Sequence, residues 1–219
     1  MQTAEKQQNI AYVKPKEKPV YDFFKRVFDI VAASAALIVL SPVLLGVAIA
    51  IKREDGGKVI YSSTRLTKDR KPFTMYKFRS MKEGAEKQLD QLLDQNEMKG
   101  PVFKIADDPR ITKVGRFVRR TSIDELPQLV NIIRGDMSVI GPRPPLPREV
   151  EQYNDYQLHR LDVKTGLACY HECMGRSDST DFDEWVESDL KYIRERSMLT
   201  DLKIIFMTIG AVLGGKGAV

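Results

Sequence analysis

Cysteine is scarce in this 219-residue chain, and its two copies, Cys169 and Cys173, lie too close together to staple a fold. A disulfide framework is therefore not expected, and a reducing compartment is the default. The chain has no internal repeat and no long low-complexity tract. It also has no Walker loop, no GxGxxG after a strand and no HExxH helix, which removes the common nucleotide-binding and zinc-protease signatures. The largest local absence is charge: from Ile30 to Ile51 there is none. Elsewhere charge is plentiful, with 35 Lys+Arg against 30 Asp+Glu, a net charge of +5 and a pI near 9.1. That balance favours anionic partners such as nucleotides, nucleic acid or an anionic membrane surface. The length allows one soluble domain with an appendage.

The uncharged run IVAASAALIVLSPVLLGVAIAI would rise roughly 33 Å as a straight helix, enough to cross a hydrocarbon core of about 30 Å. Ser41 and Pro42 stand in its middle, where proline deletes a backbone donor and crowds the preceding turn, so a break is expected there. Each half then covers only about 15 Å. The flanks are symmetric in charge, with Lys25 and Arg26 before the run and Lys52 and Arg53 after it, so charge bias gives no preference for crossing. A re-entrant hairpin with both ends in the cytoplasm satisfies both features, and a kinked spanning helix stays open. Residues 1–20 read as a mobile tail and 21–53 as the membrane segment. Residues 54–219 then form the soluble domain.

In that domain VIYSST (59–64) and PFTMYKF (72–78) predict a β-hairpin. Residues 83–96 predict an amphipathic helix, VFKI (102–105) a short strand, and DDPR a turn. Leu126, Leu129, Val130 and Ile133 recur at helical spacing before Gly135, so a helix is expected from Asp124 to Arg134. Further helices are expected over Pro147–Leu161 and Asp181–Arg194. The apolar stretch Leu199–Leu213 is too short to span and is expected at the interface. The fold class is α+β, predominantly helical with a small hairpin, a re-entrant helix-break-helix segment and interfacial helices.

Asp124 and Glu125 stand in TSIDELPQ among Arg110, Lys113, Arg116, Arg119, Arg120, Arg134, Arg143 and Arg148. Acids in a basic field suit phosphate chemistry: the cations hold a polyanion while a carboxylate attacks phosphorus or binds a divalent ion. A plainer reading exists for each. Ser122 with Glu125 spells an S-x-x-E capping box, and the arginines could be a solvated face. Arg143 is harder to dismiss, because the prolines of GPRPP hold it in a stiff loop, as a preorganised anion contact requires. Cys169, His171 and Cys173 alternate and have zinc-ligand chemistry, but lack a fourth ligand; a buried thiol pair beside an ordinary histidine is the better reading.

The apolar Ser41–Pro42 segment, YKFRSM (76–81), ITKVGRFVRRTSIDELPQLVNIIRGDMSVIGPRP (111–144) and GRSDSTDFDEW (175–185) occur in order, and together they resemble the bacterial sugar transferases. The similarity is to the monotopic polyprenol-phosphate phosphoglycosyl transferases, and it runs from about Tyr21 to the C-terminus. No four-helix membrane domain of the longer members is read ahead of it, so the resemblance is to the small, catalytic-core form. It implies transfer of a phosphosugar from a UDP-sugar to a polyprenol phosphate, usually undecaprenyl phosphate, with release of UMP. This would be the first membrane step of exopolysaccharide, capsule, O-antigen or glycoprotein glycan assembly.

The resemblance further implies that Asp124 is the nucleophile of a covalent phosphosugar intermediate, that Glu125 is its partner, and that the pair binds Mg²⁺. Lys77, Arg79, Arg119, Arg143 and Arg176 match basic positions expected near phosphates, and Ser41–Pro42 matches the membrane break. The implied location is the cytoplasmic face of the bacterial plasma membrane, in its inner leaflet, with no nucleic acid as partner and with room for a homodimer. KTGLACYHECMGR (164–176) departs from the family pattern at Thr165, Ala168, His171, Glu172, Cys173 and Met174, and Ser63 and Thr67 replace the usual Gln and Gly of the hairpin. These departures bear on donor recognition and leave the acids untouched. The alternative function is a non-catalytic module that binds anionic lipids at the membrane surface.

Overall fold

The structure is a computed structural model that describes residues 17–105, 107–173 and 180–214. Its first element, α1 (Pro19–Asp55), is 37 residues long, about 55 Å. Pro19 suits the first turn, where backbone donors are unpaired anyway, and Gly56 ends the helix in the left-handed conformation with φ 74°. The expected interruption at Ser41–Pro42 does not separate two helices, because the backbone is helical on both sides. Pro42 cannot donate to the Ile38 carbonyl one turn back, and the Ser41 hydroxyl donates to that same carbonyl at 2.8 Å. The serine thus satisfies the acceptor that proline leaves open.

Polar bonds tie both ends of α1 to the rest of the chain. Near its start Lys25 Nζ and Tyr21 Oη donate to Asp201 at 2.9 and 2.8 Å, and Arg26 donates to the carbonyls of Ile132 and Ile133 at 2.6 and 2.7 Å. Asp29, buried, accepts the Val139 amide at 3.0 Å. At the other end Glu54 accepts the Lys113 amide at 2.8 Å, and Asp55 accepts from Arg79. Between these ties only a narrow strip of α1 is buried. Ala33 packs with Met75, Leu129, Ile132 and Met137, while Val47 and Ile51 pack with Phe78 and Val118. The opposite face is apolar and exposed, including Phe23, Val31, Ile38, Val39 and Leu45.

The predicted hairpin is present as β1 (Ile60–Leu66) and β2 (Pro72–Phe78), antiparallel with Ile60 opposite Phe78 and Leu66 opposite Pro72. Two 3₁₀ turns, Ala85–Gln88 and Asp90–Gln95, replace the helix expected over 83–96. Residues 102–105 are not a strand. The Val102 side chain is buried in the large core, and Asn96 ties the stretch down: its side chain donates to the Val102 carbonyl at 3.1 Å and accepts the Lys104 amide at 2.9 Å.

Then comes α2 (Lys113–Arg120), which opens with the Thr112 hydroxyl accepting the Gly115 amide at 2.9 Å. Gly115 lies against the backbone of Ser80: a Cβ there would sit 1.9 Å from the Ser80 carbonyl oxygen. Gly115→Ala is expected to destabilise the fold by ~3 kcal/mol or more, because backbone cannot swing aside as a flexible side chain can. A thermal unfolding midpoint equal to wild type would contradict this.

The chain continues through α3 (Gln128–Arg134), β3 (Ser138–Ile140), α4 (Pro147–Val150) and α5 (Asp155–Leu158). One helix was expected over Pro147–Leu161. Asn154 instead starts a new capping box with Gln157, and local side-chain bonds divide the segment. A second sheet, invisible to sequence periodicity, pairs β3 in parallel with β4 (Gly166–Ala168). Only three residues each, these strands are too short to show alternation. A helical turn, α6 (Tyr170–Cys173), follows. Cys169, His171 and Cys173 therefore do not alternate along a strand. Both cysteines are buried free thiols, as the preferred reading of the sequence has them.

The last two helices match expectation within a residue or so: α7 (Phe182–Glu195) and α8 (Met198–Leu213). Their inner faces, with Trp185, Val186, Leu190, Ile193 and Ile204, build the largest core against Ile140 and Val163. Asp201, on the inner side of α8, also accepts from Tyr192 Oη at 2.9 Å, so one buried carboxylate joins α1, α7 and α8. Leu199, Leu202, Phe206 and Ile209 form an exposed apolar stripe on α8.

Candidate active site

The acids stand in a 3₁₀ turn, Ile123–Glu125, between α2 and α3. Ser122 reverses the chain with φ 54°, a left-handed conformation that costs a non-glycine residue about 1 kcal/mol. The expected capping box is absent. Ser122 makes no side-chain cap bond, and the Glu125 carboxylate is drawn to Lys77, whose Nζ donates to Oε1 at 2.5 Å. The expected helix from Asp124 is also shortened, since α3 begins at Gln128. The acids thus sit a turn ahead of the helix, and side-chain cations set their field.

Lys77 reaches the acids because strand geometry puts alternate residues on one face. Phe73 and Met75 of that face enter the core with Ala33 and Leu129, and Lys77 is the next residue along it. Arg65, directly opposite Phe73, shares this face. Sequence reasoning missed Arg65, because the first strand was expected to end at Thr64. The Arg65 guanidinium donates to the Pro144 carbonyl at 3.0 Å, next to Arg143. Burial, and then the neighbouring Arg143, bring its pKa down to about 10.

Asp124 is 7 % exposed, and burial, helped by Glu125, pushes its carboxyl up to about 6 against the pull of Lys77 and Arg119. For Glu125, burial raises the pKa but is outweighed by the Lys77 ion pair, Arg143 and Arg65, which hold it below the usual carboxylate value. Two adjacent carboxyls are thereby separated in acidity. Arg119 donates from Nε to Ser80 Oγ at 2.9 Å, and burial depresses its own pKa.

The remaining cations fall into groups. Lys77, Arg119 and Arg143, together with Arg65, line the same cavity of about 1590 Å³ as Asp124 and Glu125. Arg79 also lines it, yet its guanidinium is gripped by Asp55 and by the Lys58 carbonyl, so in this state it anchors the end of α1. Arg110 is committed to buried Asp108 at 2.6 Å, and Arg134 donates to Tyr76 Oη at 2.9 Å. Lys113, Arg116 and Arg120 face outward. Arg176 lies outside the described residues.

The cavity is larger than the few hundred to about 1,000 Å³ of a typical small-molecule site, and it suits two sizeable substrates. Its polar side is the basic, acid-bearing floor. Phe103, Ile205 and Ile209 make an apolar side that continues into α8. Among the described residues no third acid joins Asp124 and Glu125. Two carboxylates suit Mg²⁺, which usually takes one or two from protein and completes its shell with water and substrate phosphate.

Comparison with known proteins shows which sequences the chain is similar to. The chain is 44% identical over 218 residues to the galactosyl transferase CpsE of Streptococcus agalactiae, covering all of this chain and 48% of that protein. It is 41% identical over 207 residues to the UDP-glucose:undecaprenyl-phosphate glucose-1-phosphate transferase of Escherichia coli, covering 87% of this chain and 42% of that protein. The chain thus spans about half the length of these two relatives. With the exopolysaccharide production protein ExoY of Rhizobium meliloti it shares 36% identity over 226 residues, and all of both chains is covered. The bacterial sugar transferase family model matches residues 20–215, and the chain belongs to that family.

Proposed function

We propose that this protein transfers a sugar 1-phosphate from a UDP-sugar to undecaprenyl phosphate and releases UMP. The observation that carries the reading is the buried Asp124 beside the Lys77–Glu125 pair, in a cavity lined by Arg65, Arg119 and Arg143. The names of the relatives support it: besides the E. coli glucose-1-phosphate transferase, one of Salmonella typhimurium, 40% identical, is an undecaprenyl-phosphate galactose phosphotransferase.

In the proposed mechanism the Asp124 carboxylate attacks the sugar-bearing phosphorus of the donor. A carboxylate-oxygen-to-phosphorus bond forms as the bond to the bridging oxygen breaks, and UMP leaves with that oxygen. A phosphate oxygen of undecaprenyl phosphate then attacks the same phosphorus and frees the carboxylate, giving the lipid diphosphate sugar. Neither step requires a proton. The difficulty is repulsion between anions, so Lys77, Arg65, Arg119 and Arg143 spread positive charge around the phosphates before attack. Asp124 and Glu125 would hold Mg²⁺, which supplies further screening of the diphosphate.

The protein is proposed to be monotopic, with α1 entering and leaving the cytoplasmic leaflet and bending at Pro42. Bonds from Lys25, Arg26 and Asp29 at one end and Glu54 and Asp55 at the other support this. They hold both ends against one polar body, which cannot lie on two sides of a membrane. Lys25, Arg26, Lys52 and Arg53 then share the cytoplasmic side, as the positive-inside rule prefers. The exposed stripe on α8 would lie in the interface.

The test is UMP release by detergent-purified protein with Mg²⁺, undecaprenyl phosphate and a panel of UDP-sugars. Release is expected with at least one sugar and should stop with EDTA. Silence with every common donor, while the protein remains folded, would refute the assignment.

A further inference from the structure

Helix α1 ends on two carboxylates, Glu54 and Asp55, at the pole where the helix dipole disfavours negative charge. Local preference does not account for them, and their partners lie in other elements. Glu54 Oε1 accepts the amides of Lys113 and Val114 at 2.8 and 3.2 Å, so the end of α1 satisfies the first two backbone donors of α2. Asp55 accepts from both terminal nitrogens of Arg79, the residue after β2, and from the Gly57 amide at 3.0 Å. Gly57 lies close against that guanidinium: a Cβ there would sit 2.7 Å from Nη1.

The two elements gripped in this way carry the site. β2 presents Lys77, and α2 presents Arg119 and leads into the turn that holds Asp124 and Glu125. The apolar side of the same stretch of α1 touches both, since Val47 and Ile51 pack with Phe78, Val118 and Ile123, the residue before Asp124. Ser80 joins them directly: its carbonyl accepts the Thr112 amide at 3.0 Å, and its hydroxyl accepts from Arg119 Nε at 2.9 Å.

We propose that Glu54 and Asp55 are positioning residues for the transfer reaction, through which the end of the membrane helix fixes the spacing between Lys77 and Asp124. Glu54 sets α2 and Asp55 sets the end of β2. The inference rests on the proposed reaction. Neither residue touches the acids, so the effect falls on the geometry of attack, where a misplacement of about 1 Å costs on the order of 10²-fold. Arg79 belongs to this brace and is not a phosphate contact.

The test is steady-state UMP release by full-length wild type, Glu54→Ala, Glu54→Gln, Asp55→Asn, Arg79→Gln and the Asp55→Asn/Arg79→Gln double variant, with unfolding midpoints read in parallel. Glu54→Ala and Asp55→Asn are each expected to lower kcat about tenfold to a hundredfold, with the donor KM within about threefold. Glu54→Gln keeps a carbonyl oxygen for the α2 amides and should recover most of the loss. The double variant should be no slower than the worse single one, because both changes break the same bonds. Wild-type kcat in Glu54→Ala or Asp55→Asn, additive losses in the double variant, or an Arg79→Gln loss that falls on the donor KM overturns the proposal.

Amide hydrogen exchange reads the brace without catalysis. In Glu54→Ala exchange should quicken about tenfold or more over 121–126 as well as at the freed amides of Lys113 and Val114, and in Asp55→Asn it should quicken over 76–79. Quickening confined to Lys113 and Val114, or unchanged exchange over 76–79, overturns the proposal even if Arg79→Gln fails to fold. Wild type that releases no UMP refutes the transferase assignment, and the exchange measurement then decides the brace separately.

Discussion

Asp124→Asn is expected to reduce UMP release by on the order of 10⁴-fold or more, because in the proposed mechanism it replaces the attacking oxygen anion with a neutral amide of the same shape. The fold should survive. Asp124 is buried, and its carboxyl is pushed up to about 6, so the folded state binds this proton more tightly than the unfolded chain does. The sign follows from proton linkage. Stability from this group is complete below the unfolded value near 3.8, and it is lost as pH rises through about 6. Two units correspond to about 3 kcal/mol at most. Asparagine carries no such penalty, so at pH 8 the variant should unfold at a higher temperature than wild type and at pH 4 the difference should vanish. Carbon-13 NMR of the metal-free protein should show the Asp124 carboxyl titrating near pH 6. An active Asp124→Asn protein would remove the nucleophile from the mechanism. An Asp124 carboxyl that titrates at its ordinary value would remove the burial argument.

Lys77→Met should have the next largest effect, an activity loss of about 10²–10³-fold, the size found when one donor to a developing charge is removed. Methionine keeps the length and apolar stem of lysine but deletes the cation that accounts for the low pKa of Glu125 and draws against the burial of Asp124. Two adjacent acids would then compete for the same basic field, and the Asp124 titration should move further upward. Glu125 is 31 % exposed at its side chain, so the stability cost is expected at about 1–3 kcal/mol, below that of breaking a fully buried pair. The double variant Lys77→Met/Glu125→Gln should regain most of that stability by removing the orphaned charge, without regaining activity. Chemical denaturation and UMP release separate the two effects. If Lys77→Met keeps wild-type turnover, the Lys77–Glu125 pair is only a structural tie.

Arg79 and Arg110 show why basic residues near an acidic pair are hard to sort by sequence. Both belong to the basic segments around Asp124. Yet Arg79 is held by Asp55, 24 positions earlier, and Arg110 by Asp108, two positions earlier. Arg65 is the converse case, a cation of the cavity that drew no notice because the end of its strand was placed two residues early, at Thr64 rather than Leu66. Alternation assigns a residue to a face, but register assigns the neighbour, and register is a property of two strands.

The β-hairpin, α7 and α8 were legible because each repeats its apolar spacing over enough residues to define a face. The parallel pair β3–β4 has no such length, and its close approach depends on Gly166, where a Cβ would lie 2.1 Å from the Gly141 nitrogen. The capping box at Ser122 failed for a related reason. The local motif competes with Lys77, and a 2.5 Å ion pair to a strand 48 residues away draws the glutamate from the cap.

By itself the sequence determined the two acids and their basic surroundings, the uncharged run with Ser41 and Pro42 at its centre, and the family to which these motifs belong. These are encoded in residue chemistry and short-range spacing, which need no folded partner to be read. The tertiary structure alone decided which cations face the acids, that the acids precede α3, that both ends of α1 are bonded to one body, and that Glu54 and Asp55 grip the segments that deliver Asp124 and Lys77. Each of those is a contact between distant segments, set by how buried faces pack and by which charges lose their water together.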